Sequence, residues 1–429
     1  MNPSPTQNPF RTMISVLCLT GMTTTASIAS PSEHEVIKHY ADMAHAMYED
    51  SLITARDLLN SVNTLIQRPN DKNLQAARQA WISARIPYQQ TETYRFGNAI
   101  VDDWEGKVNA WPLDEGLIDY VSLDYGEASE ENLFYTANII ANEKLILGGE
   151  TIDTSTISKT LLTETLHQID DVESNVATGY HAIEFLLWGQ DLNGTSPGAG
   201  NRPASDFNTK HCTGGHCERR GQYLKVVTEL LVDELTWITA QWDKGGEART
   251  SLLNGNPQHS ISTIFTGMGS LSYGELAGER MKLGLMMHDP EEEHDCFSDN
   301  THASHFNNAL GIKNVYTGTY TRINGEKITG PSVSDLVAGK NNETDQQLRK
   351  LLDITLEKMQ VLVDSAEKDG IAYDQLIAQD NETGNKKVMA AINALLNQTK
   401  GIENAVASLA LSNINFEGSD SLDNPAAVF

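Results

Sequence analysis

Apolar residues recur at helical spacing along most of this chain. Between residues 33 and 66, Val36, Ile37, Tyr40, Met43, Ala44 and Met47 fall on one stripe, which predicts a single long amphipathic helix. Arg68-Pro69-Asn70-Asp71 breaks it, with Asp71 placed to cap the next helix. That second helix is predicted over 72–96, interrupted at Pro87. Turn-rich, tryptophan-bearing sequence runs from Trp104 to Tyr125. Further helical stretches read over 129–145, 157–170 and 173–188, and again over 220–243, 259–287, 344–367 and 385–411. No segment shows the period-two alternation of a half-buried strand. The expected fold class is all-α, built as two helical bundles.

Two irregular stretches interrupt the helices. Gly194, Pro197, Gly198, Gly200, Pro203, Gly214 and Gly215 mark 189–219, and Asp289-Pro290 opens another that runs to Gly330. Connections this long are usually functional or lie between domains. The expected organisation is a leader over 1–29, an N-terminal bundle over 30–195, an irregular linker over 196–219, a C-terminal bundle over 220–417 and a loose tail over 418–429. A weak echo, His-Ala-x-x-Phe, links His181–Phe185 with His302–Phe306 and hints at internal duplication.

Composition narrows the partners. At 429 residues the chain exceeds what one core usually serves. Its formal net charge of −27, from 58 acidic and 31 basic residues, argues against nucleic acid and anionic membrane surfaces. Arg11, the apolar run Met13–Met22 and the small residues of Ser27-Ile28-Ala29 read as a secretion signal cleaved before Ser30. The run is too short to span a bilayer. Leu17 before Cys18 disfavours lipid attachment. Of the remaining cysteines, Cys212 and Cys217 flank Thr-Gly-Gly-His and could close a small disulfide ring, as an oxidising compartment favours. The same spacing could serve zinc with His211 and His216. Cys296 is left as a buried small hydrophobe or a free thiol.

The chemistry concentrates in Gly179-Tyr180-His181-Ala182-Ile183-Glu184-Phe185-Leu186-Leu187-Trp188-Gly189. His181 and Glu184 lie three apart, on one helical face, in an apolar run. Such groups are costly to bury unless they are paired or hold a metal. The bland alternative is a core histidine satisfied by its helical neighbour. On the second helix Trp81, Arg85, Tyr88 and Glu92 recur at steps of four, three and four, with Arg95 beyond, which reads as an inward polar seam. A solvated face with helix ion pairs is the alternative there. Asp102, Asp103 and Asp114 are weaker candidates. Glu279 and Arg280 sit in an apolar helix, and 289–302 is dense in oxygen and nitrogen ligands. Within it the run Glu291–Glu293 is expected in solvent, and Asp299 and His302 stand at helix-compatible spacing. Met281, Met286 and Met287 read as core. His-Glu-x-x-His is absent, and the inverted His-x-x-Glu-His fails at Phe185; a third zinc ligand would have to come from His302 or His305. Nucleophilic triads, phosphate loops and dinucleotide fingerprints are absent as well.

The Gly179-x-His181-x-x-Glu184 motif in an exported all-α chain resembles the imelysin family, which is also classed as metallopeptidase family M75. The likeness is to its iron-regulated protein A branch. It is carried further by Ala84–Glu92, Asn109–Asp114, His211–Cys217, Gly278–Met281 and Phe297–His302, and so covers most of the mature chain. The resemblance implies a periplasmic pair of helical bundles with a site between them, expressed under iron limitation and serving iron or haem acquisition. It carries Gly179, His181 and Glu184 over as the motif residues.

Three readings follow. In the first, a binding protein holds a divalent metal, iron, haem or another small iron-bearing ligand for outer-membrane or periplasmic uptake partners. His181, Glu184, Glu92, Asp299 and His302 are then the metal set, and Arg85, Tyr88, Glu279 and Arg280 orient the ligand. In the second, a metallopeptidase uses His181 as ligand and Glu184 as ligand or general base. In the third, the pair is a buried polar strut with no ligand.

Overall fold

The structure, a computed structural model, describes residues 1–4, 30–126, 128–129, 132–147, 149–412 and 414–428. From residue 5 onward the expected leader lies outside them. Helix α1, Glu33–Gln67, opens on a capping box. Ser32 Oγ accepts from the Glu35 amide at 3.3 Å, and Glu35 Oε2 accepts from the Ser32 amide at 2.8 Å. The predicted stripe is buried, and α1 packs along α2 (Asp71–Thr91) and α5 (Cys217–Gln241). Asn70, not Asp71, caps α2, its Oδ1 accepting from the Asn73 amide at 3.0 Å. Pro87 does not interrupt α2. The ring is buried, and its apolar contacts offset the one missing backbone bond. A 3-10 turn, Glu92–Tyr94, completes the segment.

The turn-rich reading from Trp104 misses α3, Ala99–Asn109, which buries Val101, Trp104 and Val108 at steps of three and four. The helices expected over 129–145 and 157–170 are not α-helices. Asparagine side chains compete for the backbone there: Asn132 Oδ1 accepts from the Phe134 amide and Asn138 Oδ1 from the Ala141 amide, each at 2.9 Å. A small antiparallel hairpin follows, β1 (Lys144–Leu147) with β2 (Glu150–Asp153), and then one π-helical turn, Leu161–Leu166. A second hairpin pairs β3 (Thr319–Thr321) with β4 (Lys327–Thr329). Strands of three or four residues are too short for alternation to register. The class is nonetheless all-α.

Helix α4, Gly179–Trp188, is buried throughout and packs on α2, α3 and α5. The irregular 189–219 connection is fixed by a buried charge network. Asp119 accepts from Arg202 at 2.7 Å and from Arg220 at 2.6 and 2.9 Å. Cys212 and Cys217 are joined as a disulfide, which consumes the thiolates a zinc site would need. Cys296 is free and buried.

In the second half α6 (Glu247–Asn254) and α7 (Pro257–Ser270) lead into a 13-residue π-helix, Leu271–Leu283, and α8 (Gly284–Met287). The single helix expected over 259–287 is therefore three windings. The irregular reading of 288–330 misses α9, Thr301–Thr317. That helix buries Ser304, His305, Asn307 and Asn308 as well as apolar residues, so no single apolar face marks it. Helices α10 (Val333–Lys340), α11 (Asn342–Glu367), α12 (Tyr373–Ile377) and α13 (Glu382–Ser408) follow, with α11 packed on α13 and α9. The expected loose tail is docked through α14, Asp420–Asp423. Ser421 Oγ donates to the Gly278 carbonyl at 3.0 Å, and a Cβ on Gly278 would sit 2.3 Å from Ser419 Cβ. Pro31–Phe429 is one compact unit, so helices assigned to the two expected bundles share one core. No helix among the described residues is long and apolar enough to cross a membrane.

Replacing Asp119 by alanine leaves the buried Arg220 guanidinium without a carboxylate and Arg202 with Asp206 alone at 3.3 Å. Urea unfolding should report a loss of about 3–5 kcal/mol. A loss under 1 kcal/mol would show that the connection is held by other contacts.

Candidate functional site

Helix α4 starts where it does because Gly179 has φ +85° and because the carbonyl of Val108 lies 2.5 Å from where any Cβ would be. The glycine lets α4 begin hard against the end of α3. The first turns then carry His181 and Glu184 into the core, 1% and 0% exposed. His181 Nδ1 lies 3.0 Å from Glu184 Oε2. The other oxygen, Glu184 Oε1, accepts from the Ser298 amide at 3.0 Å and its hydroxyl at 2.6 Å. Both carboxylate oxygens are thus engaged, and His181 Nε2 is buried with no hydrogen-bond partner. Glu184 therefore orients His181; a metal at Nε2 would select the tautomer in which Nδ1–H donates to the carboxylate.

The segment before α9 brings the rest. The ring of His294 packs edge-on against His181, centroids 4.9 Å apart, and His305 from α9 lies 6.5 Å beyond it. Ligand atoms of His181, His294 and Asp295 all fall within 4.8 Å of one another. Asp295 is itself held on every side. Arg85 of α2 donates to Oδ1 at 2.6 Å, Asn300 donates to Oδ2 at 2.9 Å, and Ser304 Oγ donates to Oδ2. The Arg85 guanidinium stacks near the rings of Trp81, Tyr88 and Tyr180, 5.5, 5.8 and 5.1 Å from their centroids.

The electrostatics keep the imidazoles neutral. Burial, reinforced by Arg85, pushes His181 far below its ordinary range. Burial and the Arg280 guanidinium do the same to His294, and they bring His305 to about 3. Burial would raise Asp295, but Arg85 overcomes it and holds the carboxyl at about 2. Burial and the nearby Asp295 push Glu184 well up. Three neutral imidazoles beside an ionised carboxylate make a donor set suited to a borderline divalent metal. Both ring nitrogens of His305 are also unpartnered, which fits an ion and not a finished hydrogen-bond network. Arg85 is the opposing influence, because it already neutralises Asp295.

Not every expected residue joins this group. Trp81, Arg85, Tyr88 and Glu92 are all buried, as an inward seam requires. Glu92 is bound to Arg280 at 2.7 Å, and Arg280 also holds Glu275 at 2.6 Å. Glu279 is partly exposed and acts on Glu292. Asp299 does not share a helical turn with His302, because α9 begins at Thr301 and Asp299 has φ +57° before it. His302 faces Glu367 at 3.9 Å, and Asp299 falls with Glu293 and Asp374. Glu293, expected in solvent, is 1% exposed. Arg95 bridges Asp102 and Glu105; Asp103 is exposed; Asp114 accepts from Asn132 and Ser174. Sequence reading missed His294, Asp295, Ser298 and Glu275, while His305, weighed there as a third zinc ligand, does lie beside the group. The first two lay inside the ligand-dense 289–302 run, where an adjacent His-Asp ahead of the apolar Cys296-Phe297 was the available signal.

The imelysin (peptidase M75) family profile matches residues 44–402. Iron-regulated protein A of Synechococcus elongatus is 24% identical over 275 residues, which are 62% of this chain and 58% of that protein. The chain thus spans 58% of the length of the curated relative it matches. A crystal structure assigned as an iron-regulated protein A precursor from Parabacteroides distasonis superposes with a TM-score of 0.64 at 18% identity, over 89% of this chain and 97% of that one.

Gly179→Ala should lower the thermal midpoint sharply, by the equivalent of about 1–3 kcal/mol, since both the positive φ and the Val108 approach are lost. A wild-type melt would mean that α3 yields to the methyl group.

Proposed function

The chain belongs to the imelysin family, and from that membership we propose that it is an exported, periplasmic binding protein that holds a metal ion at the His181 centre for iron uptake. The observation that carries this reading is His181 Nε2, buried, unpartnered and oriented through Nδ1 by a fixed carboxylate. His181, His294 and Asp295 would hold the ion, with His305 close at hand and Glu184 as the orienting group. A bound ion would supply positive charge to compensate the carboxylates and a fixed point for an anionic or iron-linked partner group. The iron-regulated names of the relatives support iron as the biological context. Imidazole rings 4.9–6.5 Å apart leave space for an ion and none for a macrocycle, so haem would enter only through a different arrangement. Delivery to outer-membrane or periplasmic uptake partners completes the proposal.

The metallopeptidase reading asks more of this geometry. His181, Glu184, His294, Asp295 and His305 are each at most 1% exposed, so a polypeptide would reach them only after the fold opens. Glu184 is also already engaged by His181 and Ser298, which leaves it poorly placed as a general base. A purely structural strut would leave the unpartnered His181 Nε2 without a role.

The test is elemental analysis of mature protein purified without chelator, beside His181→Ala and Glu184→Gln. Wild type should carry a stoichiometric transition metal, and His181→Ala should lose it while keeping its circular dichroism spectrum. Glu184→Gln should bind about 10–100-fold more weakly, because the orienting carboxylate is gone. Equal metal content in His181→Ala would overturn the assignment.

A further inference from the structure

The loop that supplies His294 and Asp295 carries carboxylates on both sides of them, and these point to different chemistry. Glu293 is 1% exposed and its Oε2 has no hydrogen-bond partner. Asp374, on α12, is 2% exposed, and no other side chain hydrogen-bonds to its carboxylate, which has only backbone amides of its own helix start nearby. Asp299, partly exposed, turns a buried and unpartnered Oδ1 toward the same place. One ligand oxygen from each of the three lies within 4.8 Å of the others. A buried carboxylate normally takes two or more donors or a cation, so three neighbouring carboxylates with no side-chain donor among them need an explanation.

We propose that Glu293, Asp299 and Asp374 form a second cation site, separate from the His181 centre, that takes a hard divalent cation of the calcium class. The donor set is oxygen only, which hard cations favour and softer transition metals do not. Ligand oxygens no more than 4.8 Å apart can share one cation, since two calcium–oxygen bonds of about 2.4 Å reach across that distance. The charged neighbours add to the negative potential. Glu293 feels Asp374, Asp299, Glu184 and Asp295, while Asp299 and Asp374 both feel Asp191 from the connection after α4. A cation removes the repulsion and leaves Glu293, Asp299 and Asp374 charged and bound.

The site has a mechanical role. Glu293 and Asp299 bracket the loop before α9, and Asp374 sits on α12 in a different part of the chain. A cation among them ties α12 to the loop whose inner face presents His294 and Asp295. Binding only the folded state, it raises stability with concentration. None of this depends on a metal at His181.

The test uses full-length mature protein stripped with chelator and titrated with calcium chloride, read by thermal melting and by calorimetry. Wild type should show a saturable rise in midpoint with one calcium bound, and His181→Ala should show the same rise. Asp374→Asn should need at least tenfold more calcium. If that variant fails to fold, Asp299→Asn, at a partly exposed position, should show the same shift. No saturable rise and no heat in wild type would overturn the proposal. So would a wild-type calcium response in Asp299→Asn and Asp374→Asn, or loss of the response in His181→Ala, which would merge the two sites. An Asp374→Asn protein more stable than wild type without calcium, together with a silent wild-type titration, would show that the carboxyls share protons instead.

Discussion

Arg85 and Asp295 are buried together, and neither charge could be left there without the other. Their 2.6 Å contact joins α2 to the loop before α9, two segments 210 residues apart in sequence. Breaking one partner of such a pair costs several kcal/mol, so the contact fixes the relation of the two segments. Around it the remaining groups fall into line. Trp81 donates its indole N–H to the Tyr180 carbonyl at 2.9 Å, which seats α4 on α2. The Thr301 hydroxyl accepts from the Asp295 amide at 2.8 Å, and Ser304 and Asn300 take its carboxylate, which seats the start of α9. His181 and His294 meet because both of their supports are anchored to this one ion pair.

The parts of the fold that were legible are those in which burial is one-sided. In α1, α11 and α13 an apolar stripe faces the core and polar residues face water, so period alone finds them. The seam Trp81–Arg85–Tyr88–Glu92 was legible for the same reason, although half of it is charged. Helix α9 was not, because its buried face includes Ser304, His305, Asn307 and Asn308, which read as polar. The site divides in a similar way. His181 and Glu184 are local neighbours on one helix and announce themselves, whereas His294, Asp295 and Ser298 reach them only by tertiary packing. Long-range pairing leaves no spacing to read.

Irregular sequence did not mean loosely held sequence. The 189–219 connection carries glycines and prolines throughout, yet Asp119, Arg202, Arg220 and Asp206 bind it through charge-assisted hydrogen bonds. The tail after α13 is similar, with Tyr273 donating to Asp423 at 2.6 Å and Ser421 to Gly278. In both places small residues and polar side chains do what apolar stripes do elsewhere. The strong excess of acidic residues is also not simply a solvated coat, since several of the carboxylates sit at the centre of the protein.

On the long π-helix, Glu275 and Arg280 are five residues apart and in contact at 2.6 Å. At 100° per residue an α-helix would rotate five positions by 500°, leaving the two side chains about 140° out of phase. The wider winding closes that angle, so one guanidinium grips Glu275 on its own helix while reaching Glu92 across the core. The positive field that, after burial, helps keep His294 and His305 neutral is therefore a property of winding number as much as of residue identity. Removing a single residue from 271–283 would re-phase the stretch toward an α-helix and aim the same arginine elsewhere, with every other side chain unchanged.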